Sequence, residues 1–126
     1  MTSRFSELCI DCKDPVSQAQ FWCAILDWTI KEDDEGEVYI YIEGSSEPGI
    51  AFIKVPEGKT VKNRLHIDVT PTNGTRDEEV DRVLGLGATR VDIGQGEQRW
   101  VVLADPEGNE FCILGRKEDP KVGPAG

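Results

Sequence analysis

The feature that most constrains this chain is a repeat. Asp105 to Leu114 reads Asp-Pro-Glu-Gly-Asn-Glu-Phe-Cys-Ile-Leu. A Pro-Glu-Gly turn feeds an alternating run whose side chains point to opposite faces of a sheet. Counting back 59 positions (112 − 53), the segment Ser46 to Val55 lies under it. Gly49 falls under Gly108, Phe52 under Phe111, Ile53 under Cys112 and Val55 under Leu114. A turn and strand that recur at long spacing imply that a whole supersecondary unit recurs.

The same offset recovers the other elements. Phe5 to Cys12 alternates, with Leu8, Ile10 and Cys12 on one face and Glu7, Cys9 and Asp11 on the other. Asp14 as N-cap and Pro15 as first helical residue predict a helix to about Asp27, with Phe21, Ala24 and Ile25 as its buried stripe. Strands are expected at Trp28 to Glu32, Val38 to Ile42 and Ile50 to Val55, the first two joined by an Asp33-Asp34-Glu35-Gly36 turn. That acidic turn lacks the ligand spacing of a calcium loop. In the second half, Arg64 to Val69 predicts a strand with Leu65, Ile67 and Val69 inward and His66 and Asp68 on the other face. A helix follows from Arg76 to about Leu86, then strands at Ala88 to Ile93, Gln98 to Ala104 and Asn109 to Leu114. Lys117 to Gly126 reads as a frayed tail. The offset also maps Glu7 onto His66 and Tyr41 onto Trp100.

The expected fold is thus α+β, two tandem βαβββ modules over residues 4–56 and 63–116 of a single 126-residue domain. In each, one sheet face lies under a helix. The other, carrying Glu7, Cys9, Asp11, Ile53, His66, Asp68 and Cys112, is too polar for a second core and predicts the wall of a ligand cup.

Charge narrows the partners. A formal net charge of −10 argues against nucleic acid and anionic membranes, which select basic surfaces. The N-terminus carries no apolar signal region and no run reaches membrane-spanning length, so a cytoplasmic protein is expected. The four cysteines then read as reduced thiols. Cys9 and Cys12 form a C-x-x-C, but on an alternating strand residues three apart face opposite sides, so both read as small apolar side chains.

Three motifs carry a resemblance. Asp14-Pro15 follows the first strand, Asn63-Arg64-Leu65-His66-Ile67-Asp68 opens the second half, and Asp105-Pro106-Glu107-Gly108-Asn109-Glu110-Phe111 lies near the end. With paired βαβββ units, they resemble the vicinal oxygen chelate superfamily, and within it the small glyoxalase/bleomycin-resistance/dioxygenase-like proteins. The resemblance implies a curved-sheet cup and, in the enzymes, a divalent metal such as Zn, Ni, Mn or Fe. It places metal ligands at Glu7, His66 and Cys112, with the remaining position falling on Ile53, which cannot ligate. It also implies a homodimer.

Two functions follow. One is binding of a small organic molecule, as in antibiotic sequestration by bleomycin-resistance proteins, with Glu7, Asp11, Tyr41, Ile53, His66, Asp68, Trp100 and Cys112 lining the cup. The other is a metal-dependent lyase, isomerase or dioxygenase in which Glu7, Asp11 or His66 moves a proton. Each candidate has an ordinary counterpart. His66 alone is a hydrogen-bonded strand residue, Glu7 and Asp11 a solvated face, Tyr41 and Trp100 core aromatics. The incomplete ligand set favours the first function.

Overall fold

The computed structural model describes residues 2–32 and 36–124. The chain divides into two compact units, residues 1–58 and 59–126. The Asp33-Asp34-Glu35 turn lies outside the described residues.

The first unit holds β1 (Leu8–Cys12), α1 (Pro15–Leu26), β2 (Thr29–Glu32), β3 (Val38–Tyr41) and β4 (Ile50–Lys54). Its sheet runs β1-β4-β3-β2, with β1 parallel to β4 and the other pairs antiparallel. The second unit repeats this with β5 (Ile67–Val69), α2 (Arg76–Gly85), β6 (Thr89–Arg90), β7 (Val101–Ala104) and β8 (Glu110–Ile113), in the order β5-β8-β7-β6. Neither sheet closes on itself. This is the α+β fold of two tandem βαβββ modules.

The helices start where their caps dictate. Asp14 accepts from the Ser17 amide at 3.1 Å, ahead of Pro15 at a position whose amide needs no partner. Thr75 and Glu78 form a reciprocal capping box, at 3.1 and 2.9 Å. The first helix buries Gln18, Ala19, Phe21, Trp22 and Ile25, whereas Ala24 is exposed. Two of the three expected stripe residues, Phe21 and Ile25, are therefore buried, and Trp22, 1% exposed, takes the place expected for Ala24.

Burial alternates along β1 and β3, but β7 is buried throughout and β8 at every position except Glu110. Phe52 and Phe111 are fully buried beside the less buried Ile53 and Glu110. Leu65 departs from the expected alternation: at 81% exposure it precedes β5, which begins only at Ile67. Three further expectations change. The strand expected over 88–93 shrinks to the two residues of β6. The constant offset does not survive pairing. Ile10 pairs with Phe52 as Ile67 pairs with Phe111, so β5 stands two positions short of the offset that relates β4 to β8. Cys9, not Glu7, thus occupies the place of His66. Val38 opposite Phe52 matches Leu103 opposite Phe111, so Tyr41 and Trp100 are not counterparts. The duplication is one of topology.

The tail is docked where fraying is expected. Gln98 and Val122 form an antiparallel bridge through amide-to-carbonyl bonds of 3.1 and 2.9 Å. Arg76, 2% exposed, donates through Nη1 to the carbonyls of Arg99 (3.0 Å) and Pro120 (2.6 Å). Its Nε bonds Asp77 at 2.9 Å, while Nη2 lies at ion-pair distance from that carboxylate without hydrogen-bond alignment. A buried guanidinium demands such partners, and the tail carbonyl supplies one.

Candidate functional site

The face of the second sheet that carries Asp68 and Cys112 holds the site. In a parallel pair the side chains of opposed residues lie side by side, and Asp68 is opposed to Cys112 across β5 and β8. Across the antiparallel β7–β8 pair, Cys112 is opposed to Val102. His66, two residues before Asp68, shares its face. A cavity of about 340 Å³ opens over them. Ile93, Trp100, Val102 and Leu114 give it apolar walls, and Lys62, Gln95 and Glu110 add polar groups to its lining.

His66, Asp68 and Cys112 each present a ligating atom, and these atoms lie within 4.8 Å of one another. The His66 Nε2 to Asp68 Oδ1 distance is 3.3 Å, with both side chains about half exposed (47% and 46%). Cys112 is the buried member, 6% exposed. Burial first, then the charge and hydrogen bond of Asp68, push its thiol up to about 11 against the pull of Lys62. At neutral pH the thiol is therefore protonated and weakly nucleophilic.

Glu110 is committed elsewhere. Its carboxylate accepts from Lys59 Nζ at 3.0 Å and from the Asn63 amide at 3.3 Å. Burial opposes its ionisation, but these donors and its own backbone amide outweigh that and hold the carboxyl below its ordinary value. Asn63 Nδ2 reaches the Asn109 side chain at 2.9 Å, and Asn109 in turn bonds the buried Asp105 carboxylate. The loop leading to His66 is thereby stitched to the turn that precedes β8. Asn63 is a structural part of this network, while Arg64 is exposed.

Most of the remaining candidates lie in the first unit. Asp11 and Ile53 are opposed across β1 and β4 as Asp68 and Cys112 are across β5 and β8, but isoleucine carries no donor there. Glu7 lines a second cavity of about 230 Å³ with Lys31, Glu37, Tyr39 and Ala51. Tyr41 stacks on Tyr39, centroids 5.8 Å apart and planes 17° apart. The C-x-x-C is split across the sheet, Cys9 exposed and Cys12 buried. Trp100 is 39% exposed and lines the second unit's cavity, so it is not core. Lys62, Ile93, Gln95, Val102 and Leu114 were not legible as lining residues, although Val102 lies on the alternation that marks Cys112.

The resemblance implies a divalent ion, and His66, Asp68 and Cys112 are the donors placed to hold one. Imidazole, carboxylate and thiol together fit an ion that accepts nitrogen, oxygen and sulfur, and Ile53 adds nothing. Among the described residues no helix is long and apolar enough to cross a membrane.

Comparison with known proteins agrees with this architecture. No curated protein matches the chain in sequence. The fosfomycin resistance protein FosX from Mesorhizobium loti superposes with a TM-score of 0.70 at 14% identity, covering 94% of this chain and 95% of that one. A mutant FosX from Listeria monocytogenes, complexed with Mn(II) and 1S,2S-dihydroxypropylphosphonic acid, gives 0.65 at 21% identity over 94% of each chain. A glyoxalase/bleomycin resistance protein/dioxygenase family enzyme from Burkholderia phytofirmans PsJN gives 0.62 at 21% identity over 86% and 94%. At these identities the likeness is one of fold. Residues 7–114 match the family described as glyoxalase-like domain. The chain belongs to the glyoxalase-like domain family, within the vicinal oxygen chelate superfamily.

Proposed function

We propose that the protein binds a small organic molecule in the cavity of its second unit and sequesters it, as a bleomycin-resistance-like protein does. One observation carries the reading: a cavity of about 340 Å³ combines an apolar wall with a few polar groups. That size and composition are typical of small-molecule sites. Trp100 and Leu114 supply the surface for an apolar or flat portion of the ligand, and His66, Asp68 and Lys62 the contacts for its polar end. The protonated Cys112 thiol suits binding better than nucleophilic attack. An antibiotic is the favoured ligand class, since fosfomycin resistance proteins share the fold.

Calorimetric titration of a natural-product and antibiotic panel, phosphonates included, tests this. Binding is expected for at least one compound, and Trp100→Ala weakens it roughly tenfold, the equivalent of about 1.4 kcal/mol. No binding across the panel sinks the proposal.

A second reading, a metal-dependent lyase, isomerase or dioxygenase, is favoured by the convergence of His66, Asp68 and Cys112. A bound divalent ion would polarise a substrate oxygen. In that case His66 and Asp68, the two half-exposed members, are the residues placed to orient substrate or hold a proton. A homodimer and a cytoplasmic location complete the proposal.

A further inference from the structure

We infer that the C-terminal segment, residues 115–122, is a strap that sets the position of one wall of the second unit's cavity. Its bearing on ligand capture rests on the sequestration reading above; its hold on the wall does not.

The cavity has two kinds of wall. Val102 and Cys112 stand opposed on β7 and β8, where the ladder fixes them. Ile93, Gln95 and Trp100 ride instead on the connection between β6, which ends at Arg90, and β7, which begins at Val101. Burial does not fix that connection, since no residue from 92 to 100 is buried and Ile93 and Trp100 are 37% and 39% exposed. A segment with neither ladder nor buried anchors opens locally at little free-energy cost unless other bonds hold it.

The tail and Arg76 supply those bonds. Among the described residues, every hydrogen bond from residues 92–100 to another part of the chain goes to one or the other. Gln98 exchanges two with Val122, at 3.1 and 2.9 Å. Arg99 donates through Nε to the Lys117 carbonyl at 3.1 Å, and its own carbonyl accepts from Arg76 Nη1, which also holds Pro120. Gly115 passes so close to the Arg99 carbonyl that a Cβ there would collide with it. Residues 116–119 then turn the tail back towards Gln98: the Arg116 amide donates to the Asp119 carboxylate at 2.6 Å, and the Asp119 amide to the Arg116 carbonyl at 3.0 Å.

Gln98 and Arg99 directly precede Trp100, and the Gln98 side-chain amide donates to the Gln95 carbonyl at 3.1 Å. Holding these two residues therefore orients Trp100 on one side and Gln95 on the other. A wall held before a ligand arrives avoids the ordering cost of binding, so releasing the strap weakens capture without changing a lining residue.

The test labels the full chain with fluorotryptophan and follows the fluorine NMR resonances of Trp22, Trp28 and Trp100, the last assigned with Trp100→Phe. Val122→Pro deletes the amide that bonds the Gln98 carbonyl and keeps both carbonyl partners of Arg76. Deleting the residues after Arg116 releases the whole strap. In both variants the Trp100 resonance should shift or broaden, while that of Trp22, buried in the first unit, stays in place. Lys121→Ala, an exposed change within the strap that touches none of these bonds, should leave Trp100 unmoved. An unchanged Trp100 resonance in Val122→Pro overturns the proposal. So does equal displacement of Trp22 and Trp100 in that variant, which would mark general loosening of the chain. A compound panel that yields no binding, with Trp100 released in Val122→Pro, ends the sequestration reading and leaves the strap standing; binding with Trp100 unmoved does the reverse.

Discussion

The Nη1 atom of Arg76, at the first turn of α2, donates to the carbonyl oxygen of Pro120 at 2.6 Å. The same atom holds the Arg99 carbonyl, and Arg99 precedes Trp100 in the cavity wall. Removing the segment after Arg116 strips one partner from a guanidinium that is 2% exposed and deletes the Gln98–Val122 bridge. Orphaning a buried charged donor is costly, so the truncated chain should be less stable by roughly 2–4 kcal/mol. Chemical denaturation of the two chains checks this. Equal midpoints would mean that the tail contributes nothing.

How far the sequence reveals these relationships depends on what kind of signal carries them. Caps and alternation are local, so Asp14-Pro15, the α1 boundary and the burial of Phe52 and Phe111 are legible without a structure. Arg76 is not, because its partners lie at Arg99 and Pro120 and nothing in a polar tail announces a carbonyl acceptor. The Asp68–Cys112 neighbourhood is half legible. Each residue falls on the polar face by alternation, but their register depends on a loop-length difference between the modules that a constant offset hides. The clearest cost of that hidden difference is Tyr41, which a fixed spacing equates with Trp100.

The Cys112 thiol, held at about 11 rather than 9.0, links stability to alkaline pH. Between these values the folded state keeps a proton that the unfolded chain releases, so stability is fully present below pH 9.0 and falls as pH rises towards 11. The expected loss is on the order of 2 kcal/mol, at about 1.4 kcal/mol per pKa unit. Urea denaturation at pH 8 and pH 10.5, under reducing conditions, should show a steeper loss in the wild type than in Cys112→Ser. Cys23, raised to about 11 by burial, acts in the same direction in both proteins and cancels in the comparison.

Glu110 works at the other end of the scale. Burial opposes its charge, but the Lys59 hydrogen bond, its backbone amide and the Asn63 amide depress its pKa. Its contribution is therefore present above the unfolded carboxylate pKa and is lost as pH falls through the lower folded value. Glu110→Gln removes the ionised acceptor from a pair whose side chains are 19% and 11% exposed. We expect about 1–3 kcal/mol of destabilisation at pH 7, shrinking in acid. A cost that is the same at pH 7 and at pH 3 would refute the assignment.

Gly49 and Gly108 align in the repeat yet are required for different reasons. Gly108 sits in the Asp105–Asn109 turn at φ +90°, a region that L side chains rarely adopt, and a Cβ there would meet only the Lys59 side chain, at an ordinary 3.9 Å. Gly49 has no such angle. A Cβ there would collide with the Ile40 carbonyl oxygen and lie 2.7 Å from the Tyr39 ring, whose hydroxyl accepts from the Gly49 amide at 3.0 Å. Alanine at Gly108 should therefore cost about 1–2 kcal/mol of backbone strain and leave its neighbours in place. Alanine at Gly49 must displace β3 backbone and should cost more, about 2–4 kcal/mol. The Tyr39→Phe change separates the two effects at Gly49. It removes the hydrogen bond but not the collision with the Ile40 carbonyl, so Gly49→Ala should remain strongly destabilising in that background. If Tyr39→Phe instead abolishes most of the penalty, the close approach of backbone to Gly49 is not what holds this position.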